Sequence, residues 1–225
     1  MEIRELGEKI EAAVFDLDGT LVDSLSFFKY FWPALGRRFF GVENYMPPTY
    51  VDMQIRTMPA RESCDYIADE LWIMGKGQEI YELEMEIMDD FYKNVAKLKV
   101  GVVEYLDSLR KKGIKTAIAS ASSIPIIRFN LERYGILDKF DYLFSCADLG
   151  VGKDVPDVYL EAEKQLGADR SKICVYEDSC VALETAKRAG FMTVGIYDEG
   201  NYEHDRLKAA SDVYLGEGMT FLDLI

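Results

Sequence analysis

Positive charge is scarce in this chain: 26 Lys and Arg stand against 40 Asp and Glu among 225 residues, a net charge of −14. Such a balance repels phosphate backbones and anionic bilayers, so nucleic acid and membrane surfaces are not expected partners. No stretch approaches the roughly 18 apolar residues that span a bilayer. Met1 to Glu11 alternate acidic and basic residues without an apolar core, unlike a signal peptide or transit sequence. Histidine is nearly absent. The only one, His204, sits among charged residues and is expected at the surface, which removes histidine-phosphatase and Ser-His-Asp mechanisms. The four cysteines, Cys64, Cys146, Cys174 and Cys180, form no C-x-x-C pair and lie beside apolar residues. Buried free thiols are expected, and with them a reduced, cytoplasmic setting. Neither an internal repeat nor a low-complexity segment is present.

What remains is ordinary globular material, 49% hydrophobic and 29% charged with 17 Gly and 6 Pro, in a length that suits one large domain or a core with a small lobe. Ala12 to Phe15 is a short apolar run that ends abruptly in Asp16-Leu17-Asp18-Gly19-Thr20. This pattern predicts a buried strand running into a polar turn. From Val100 onward strand and helix patterns alternate. Val102, Leu106 and Leu109 have helical spacing, with Gly113 as the stop. Strands are predicted at Thr116 to Ala119, around Tyr142 to Phe144, at Ile173 to Tyr176 and at Met192 to Ile196. Helices are predicted near Ile124 to Tyr134, at about Val155 to Leu166, and after Glu177-Asp178 as far as Ala189-Gly190. Strands alternating with crossover helices imply a parallel sheet covered on both faces.

Between Ser24 and Lys99 the pattern becomes helical. Phe27, Phe31 and Leu35 share one stripe; Ile67, Leu71 and Met74 make another; Ile80, Leu83, Ile87 and Phe91 make a third. Tyr81 to Met88 also alternate as a strand would, but the longer pattern favours a helix. The segment is too long for a loop. Pro47-Pro48 and Pro59 are expected to divide it into several helices. The fold class expected is α/β: a doubly wound, Rossmann-like parallel-sheet core of residues 1–23 and 100–225, with an all-helical cap domain inserted at 24–99.

In a parallel sheet, ligands bind beyond the carboxyl ends of the strands. Three predicted strand ends carry useful groups here: Asp16 and Asp18, Ser120, and Glu177 with Asp178. Lys153 lies in the Gly-flanked segment Gly150-Val151-Gly152-Lys153. Several carboxylates in one crevice would repel unless a cation joined them. Oxygen ligands without His or Cys favour Mg²⁺. These parts fit phosphoryl transfer, in which charge spreads over equatorial oxygens and catalysis is mostly positioning and charge stabilisation. Lys153 and Mg²⁺ would neutralise that charge. Ser120 and neighbouring backbone N–H groups, such as that of Ala121, would orient it. Enzymes accelerate phosphate-monoester hydrolysis by up to ~10²¹-fold, and a covalent aspartyl phosphate divides that barrier into two easier steps.

Asp16-Leu17-Asp18-Gly19-Thr20-Leu21-Val22-Asp23-Ser24 resembles the first motif of the haloacid dehalogenase superfamily. Ser120, Lys153 and Glu177-Asp178-Ser179 resemble its second, third and fourth motifs, in order and in strand context. The position of the helical insertion is similar to that of the subgroup containing phosphoglycolate phosphatases and β-phosphoglucomutase. The resemblance implies that Asp16 is the nucleophile. It makes Asp18 the general acid for the leaving oxygen and then the base for water. It implies Mg²⁺ held by the Asp16 carboxylate, the Asp18 backbone carbonyl and Asp178, with Glu177 nearby, directly or through water. The second aspartate argues against dehalogenation, since a halide needs no proton and an alkoxide does.

Two positions depart from the family pattern. Asp154 replaces a proline after Lys153, where it either pairs with that lysine or faces solvent, the second being expected. Ala182 stands where the fourth motif usually has glycine. Simpler roles stay open beside the functional ones: Ser120 lies in a run of helix-cap candidates, and Glu177-Asp178 suits a helix start. Arg61, after Pro59-Ala60, and Lys76, between Gly75 and Gly77, are candidate substrate contacts or solvated charges. Phe27, Phe28, Phe31 and Trp32 are expected to pack rather than to line a ligand box.

The expected function is therefore a Mg²⁺-dependent phosphatase of a small phosphorylated metabolite. The main alternative is a β-phosphoglucomutase-type sugar phosphomutase with the same core residues. A catalytically silent binding or regulatory protein is a third, disfavoured because Asp16 and Asp18 are both present. Oligomeric state and the particular substrate leave no mark in the sequence.

Overall fold

The computed structural model of the chain describes residues 6–225 apart from Glu8, Thr57 and Pro59. The expected helix break at Pro59 thus lies outside the described residues. Among the described residues, β1 (Ala12–Phe15) is followed by four α-helices, α1 (Phe28–Leu35), α2 (Thr49–Ile55), α3 (Ala60–Glu70) and α4 (Gly77–Asn94). Then come α5 (Val102–Lys111), β2 (Lys115–Ser120), α6 (Ile124–Arg133), β3 (Tyr142–Ser145) and the single turn α7 (Cys146–Leu149). Last are α8 (Asp157–Leu166), β4 (Ile173–Glu177), α9 (Cys180–Ala189), β5 (Met192–Ile196), α10 (His204–Ala210) and β6 (Val213–Leu215). Two compact units result, 1–25 with 97–225, and 26–96.

The six strands form one parallel sheet in the order β3-β2-β1-β4-β5-β6. β1 is central and wholly buried, which is why it reads as an unbroken apolar run. One face of the sheet presents small residues, Ala12, Val14, Ala117 and Ala119, to Val158, Tyr159, Ala162 and Leu166 of α8. Alanines there let the helix approach closely. On the other face Phe15 stacks on Tyr176 with ring centroids 4.3 Å apart, and both meet Tyr105 of α5. Truncating a buried ring such as Phe15 would cost about 3–5 kcal/mol. All four cysteines are buried and free.

The chain order reverses beside β1. β1 leads through the inserted residues to β2 on one side, whereas β4 lies on the other side of β1 and leads to β5. A parallel sheet opens a crevice at the carboxyl ends of strands flanking such a reversal. Residues 24, 25 and 97–99 cluster with this unit, so the inserted unit is 26–96 where the sequence pattern suggests 24–99. Asp23 N donates to Lys97 O, Lys99 N donates to Leu21 O, and Val22 bridges Leu98.

In the helical unit, Phe27, Phe31, Trp32, Leu35, Ile67, Ile80 and Phe91 are buried. Phe27 stacks on Phe31 and meets Phe91 edge-on. Trp32 Nε1 donates to Asp52 Oδ1 at 2.5 Å, while Arg56 forks onto Asp52 Oδ2 and lies over the Phe28 ring. This aromatic group packs, as its spacing predicts, and a buried carboxylate is satisfied within it. The predicted stripe through Leu71 and Met74 is cut short. α3 ends at Glu70, Trp72 takes a left-handed φ of 59°, and Ile73 N donates back to Ala68 O. That capping pattern ends the helix and leaves Met74 exposed. Among the described residues, no helix is long and apolar enough to cross a membrane.

Candidate active site

Asp16 follows the last residue of β1, and its N–H donates to Tyr176 O, continuing the ladder to β4. The chain then turns sharply: Leu21 N donates to Leu17 O, and Gly19 N donates to Val22 O and to Ser24 Oγ. Gly19 holds φ near +80°, and a Cβ there would lie 2.5 Å from Asp178 Oδ2. Only glycine suits both demands. The turn brings Thr20 against β4, where Thr20 Oγ1 donates to Asp178 Oδ1 at 3.0 Å.

Register puts two of the expected groups side by side. Phe15 is opposite Ile118 and Tyr176, so Asp16 and Glu177 emerge next to one another at the carboxyl ends of β1 and β4, while Ser120 ends β2 one residue beyond the level of Asp16. Asp16, Glu177 and Asp178 are all buried, and one oxygen from each lies within 4.8 Å of the others. The Lys153 ammonium bonds to both Asp16 Oδ1 and Glu177 Oε1. Glu177 also accepts from Tyr159 OH at 3.4 Å and, through Oε2, from Ser179 N at 3.1 Å. Ser179 Oγ caps α9 by accepting from Ala182 N. Ala182 itself is buried within that helix start, so a methyl group is accommodated where the motif usually has glycine.

Electrostatics follow from this crowding. Burial pushes the Asp178 carboxyl up to about 7, reinforced by Glu177. Burial also raises Asp16 well above the ordinary carboxylate range, against the pull of Lys153. For Lys153, burial alone would favour the neutral amine, but Asp16 and Glu177 outweigh it and hold the ammonium well above the usual lysine range. Two buried carboxylates thus share one lysine, and a third, Asp178, lies beside them without bonding to it. The negative charge left over and the all-oxygen donor set fit a hard divalent cation.

Asp18 is part-buried, and its Oδ2 accepts from Ser122 Oγ at 3.3 Å. Its carboxylate is not one of the three gathered oxygens. Ser120 is buried, and its Oγ accepts from Ser122 N at 3.1 Å; Ala121 is exposed at the same strand end. Asp154 faces solvent, and among the described residues no ion pair joins it to Lys153. In the helical unit, the Arg61 guanidinium lies over the Tyr81 ring at 5.0 Å, and Lys76 pairs with Glu79 at 2.5 Å. His204 is not the surface side chain expected. It is half-buried and stacks on Tyr197, with centroids 4.5 Å apart, because its helix packs against the end of β5.

The chain matches the haloacid dehalogenase-like hydrolase family over residues 10–190. It belongs to that family. It is an enzyme of the phosphoric monoester hydrolase class. Among its relatives, the phosphorylated carbohydrates phosphatase of Thermotoga maritima is 30% identical over 185 residues, 80% of this chain and 82% of that one. The β-phosphoglucomutase of Bacillus subtilis is 26% identical over 200 residues, 83% of each. The structure of a haloacid dehalogenase family hydrolase from Entamoeba histolytica shares the fold, with a TM-score of 0.74, 22% identity and 95% of each chain covered.

Of the motif residues read from the sequence, the structure brings Asp16, Lys153, Glu177 and Asp178 together. Thr20, Ser122 and Tyr159 were not anticipated as parts of the site. Thr20 was visible within its motif, but its partner Asp178 becomes apparent only when β1 and β4 pair. Tyr159 carried a weaker signal, a hydroxyl on the apolar stripe of α8.

Proposed function

We propose that the protein is a Mg²⁺-dependent phosphatase of small phosphorylated sugars, working through an aspartyl phosphate on Asp16. The observation that carries this reading is the Lys153 ammonium shared between Asp16 and Glu177, with Asp178 alongside, where the sheet order reverses. The sugar-phosphate class is favoured by the names of the Thermotoga and Bacillus relatives.

In this scheme an Asp16 carboxylate oxygen attacks phosphorus, and the bond to the substrate alkoxide breaks as Asp18 protonates the leaving oxygen. A water then attacks the aspartyl phosphate, Asp18 takes its proton, and inorganic phosphate departs with Asp16 restored. Lys153 stays protonated throughout and faces the phosphoryl oxygens. Ser120 and the Ala121 N–H orient them. Ser122 holds Asp18 Oδ2 in place. A divalent cation, held by Asp16, Asp178 and the Asp18 carbonyl with Glu177 nearby, would supply positive charge to the phosphoryl group. Arg61 and Lys76 are the candidate contacts for the sugar portion.

Phosphate release from a panel of hexose, hexitol, glycolate and nucleotide phosphates, with and without Mg²⁺, tests the proposal. Steady, Mg²⁺-dependent release from at least one sugar phosphate is expected, and release from none would overturn it. Similarity to β-phosphoglucomutase supports a second reading. Isomerisation of a sugar phosphate that depends on catalytic bisphosphate, with little phosphate released, would favour the mutase.

A further inference from the structure

Asp178 has a partner that lies beyond the family match, which ends at residue 190. Asn201 sits in the loop between β5 and α10. Its Nδ2 donates to the Asp178 main-chain carbonyl at 2.7 Å and to Asp178 Oδ2 at 3.1 Å. Thr20 Oγ1 donates to the other oxygen, Oδ1. Each carboxylate oxygen of Asp178 therefore accepts one hydrogen bond, and the plane of the carboxylate is fixed from two sides. An ionised carboxylate offers about four lone-pair sites, so each oxygen keeps one for a cation.

The loop that presents Asn201 is itself anchored. Asn201 N donates to Asp198 O at 3.0 Å, and Gly200 N donates to Asp198 Oδ1 at 2.8 Å. Lys99 Nζ pairs with Asp198 Oδ2 at 2.9 Å and donates to Tyr197 O at 2.8 Å. A Cβ on Gly200 would lie 2.7 Å from the Leu25 Cβ, so the loop packs directly against Leu25. Asn201 is thus a held amide rather than a loosely hung surface one.

We propose that Asn201 is a positioning residue for the divalent cation: it sets the orientation of Asp178, and hence metal affinity, without touching the reacting atoms. The inference rests on the metal-site reading given above. Hydrogen-bond partners of ligating carboxylates typically contribute about 10–100-fold in metal affinity, because they remove the need to order the ligand on binding. A purely structural role, tying the loop to the Asp178 carbonyl, would instead lower stability and leave affinity unchanged.

Isothermal titration of the metal-free full chain with MgCl₂ separates the two, using wild type, Asn201→Ala and Asn201→Leu. The leucine keeps the bulk, so a fold defect in the alanine variant leaves the comparison readable. Both variants should bind Mg²⁺ about tenfold or more weakly, with the metal-free melting temperature little changed and kcat at saturating Mg²⁺ within about twofold of wild type. Unchanged affinity in a folded variant, with wild type binding normally, overturns the inference alone. A wild-type chain that takes up no Mg²⁺ overturns the inference and the metal site together.

Discussion

Gly19 lies against Asp178 so closely that a single added carbon would meet Oδ2 at 2.5 Å, and it does so with a φ near +80°. Gly19→Ala would therefore impose about 1–2 kcal/mol of left-handed backbone strain and displace the carboxylate as well. A fall in melting temperature of about 2–8 °C is expected for a chain of this size. The rise in melting temperature on adding Mg²⁺ should vanish. Thermal scans with and without MgCl₂ check both effects. A variant that kept the full Mg²⁺ response would show that this contact does not set Asp178.

Asp16→Asn keeps the shape of the proposed nucleophile and removes its charge. Turnover of p-nitrophenyl phosphate should fall by about 10³-fold or more, the scale on which loss of a covalent nucleophile acts. Activity near the wild-type level would refute the assignment.

Lys153→Met would leave Asp16 and Glu177 facing each other with no buried cation between them. Removing one partner from a buried ion pair costs about 3–5 kcal/mol, lessened here by proton uptake on Asp16. Urea denaturation without metal should show the loss. Inhibition by inorganic phosphate should weaken in parallel, and full retention of that inhibition would remove Lys153 from the phosphate site.

The raised pKa of Asp178 gives stability a definite pH dependence. Burial lifts the native carboxyl from 3.8 to about 7. Between those values the native state holds a proton that the unfolded state has released. Metal-free stability contributed by this group is thus greatest below about pH 4 and is lost as pH rises toward 7. Mg²⁺ needs the ionised carboxylate, so its stabilising effect should grow across the same window. Melting temperatures at about pH 5.5 and about pH 8 should show the larger Mg²⁺ shift at the higher pH. Equal shifts would contradict this account.

Arg61 is exposed and rests on Tyr81. If it contacts the sugar portion, Arg61→Ala should reduce kcat/KM for a sugar phosphate more than for acetyl phosphate. Equal losses on the two substrates would assign Arg61 to packing on Tyr81.

The central strands could be read directly from the sequence, because a strand covered on both faces is uninterrupted in its apolar character and each one ended on a residue with chemistry. β6 escaped notice because Val213–Leu215 is too short to show a period. Asn201 escaped because a loop amide carries no pattern at all; its role depends on β4 and β5 lying side by side. The helical unit shows the opposite difficulty. Asp52 and Glu84 are polar residues in the sequence yet are buried, since Trp32 and Cys64 supply partners from other helices and Arg56, four residues on, closes over Asp52. Met74 fitted the apolar spacing of α3 but lies beyond its end, where the left-handed backbone at Trp72 overrides periodicity.

The central place of β1 also governs how the protein reaches its working form. Ala12 is opposite Lys115 on one side and Ile173 on the other, so both pairings close long stretches of chain. Such closures come late and slowly, whereas contacts within a helical segment are local and fast. During refolding from denaturant, helical signal should therefore return before any turnover does. Recovered activity reports a finished sheet, and a partly folded chain has no catalyst to offer.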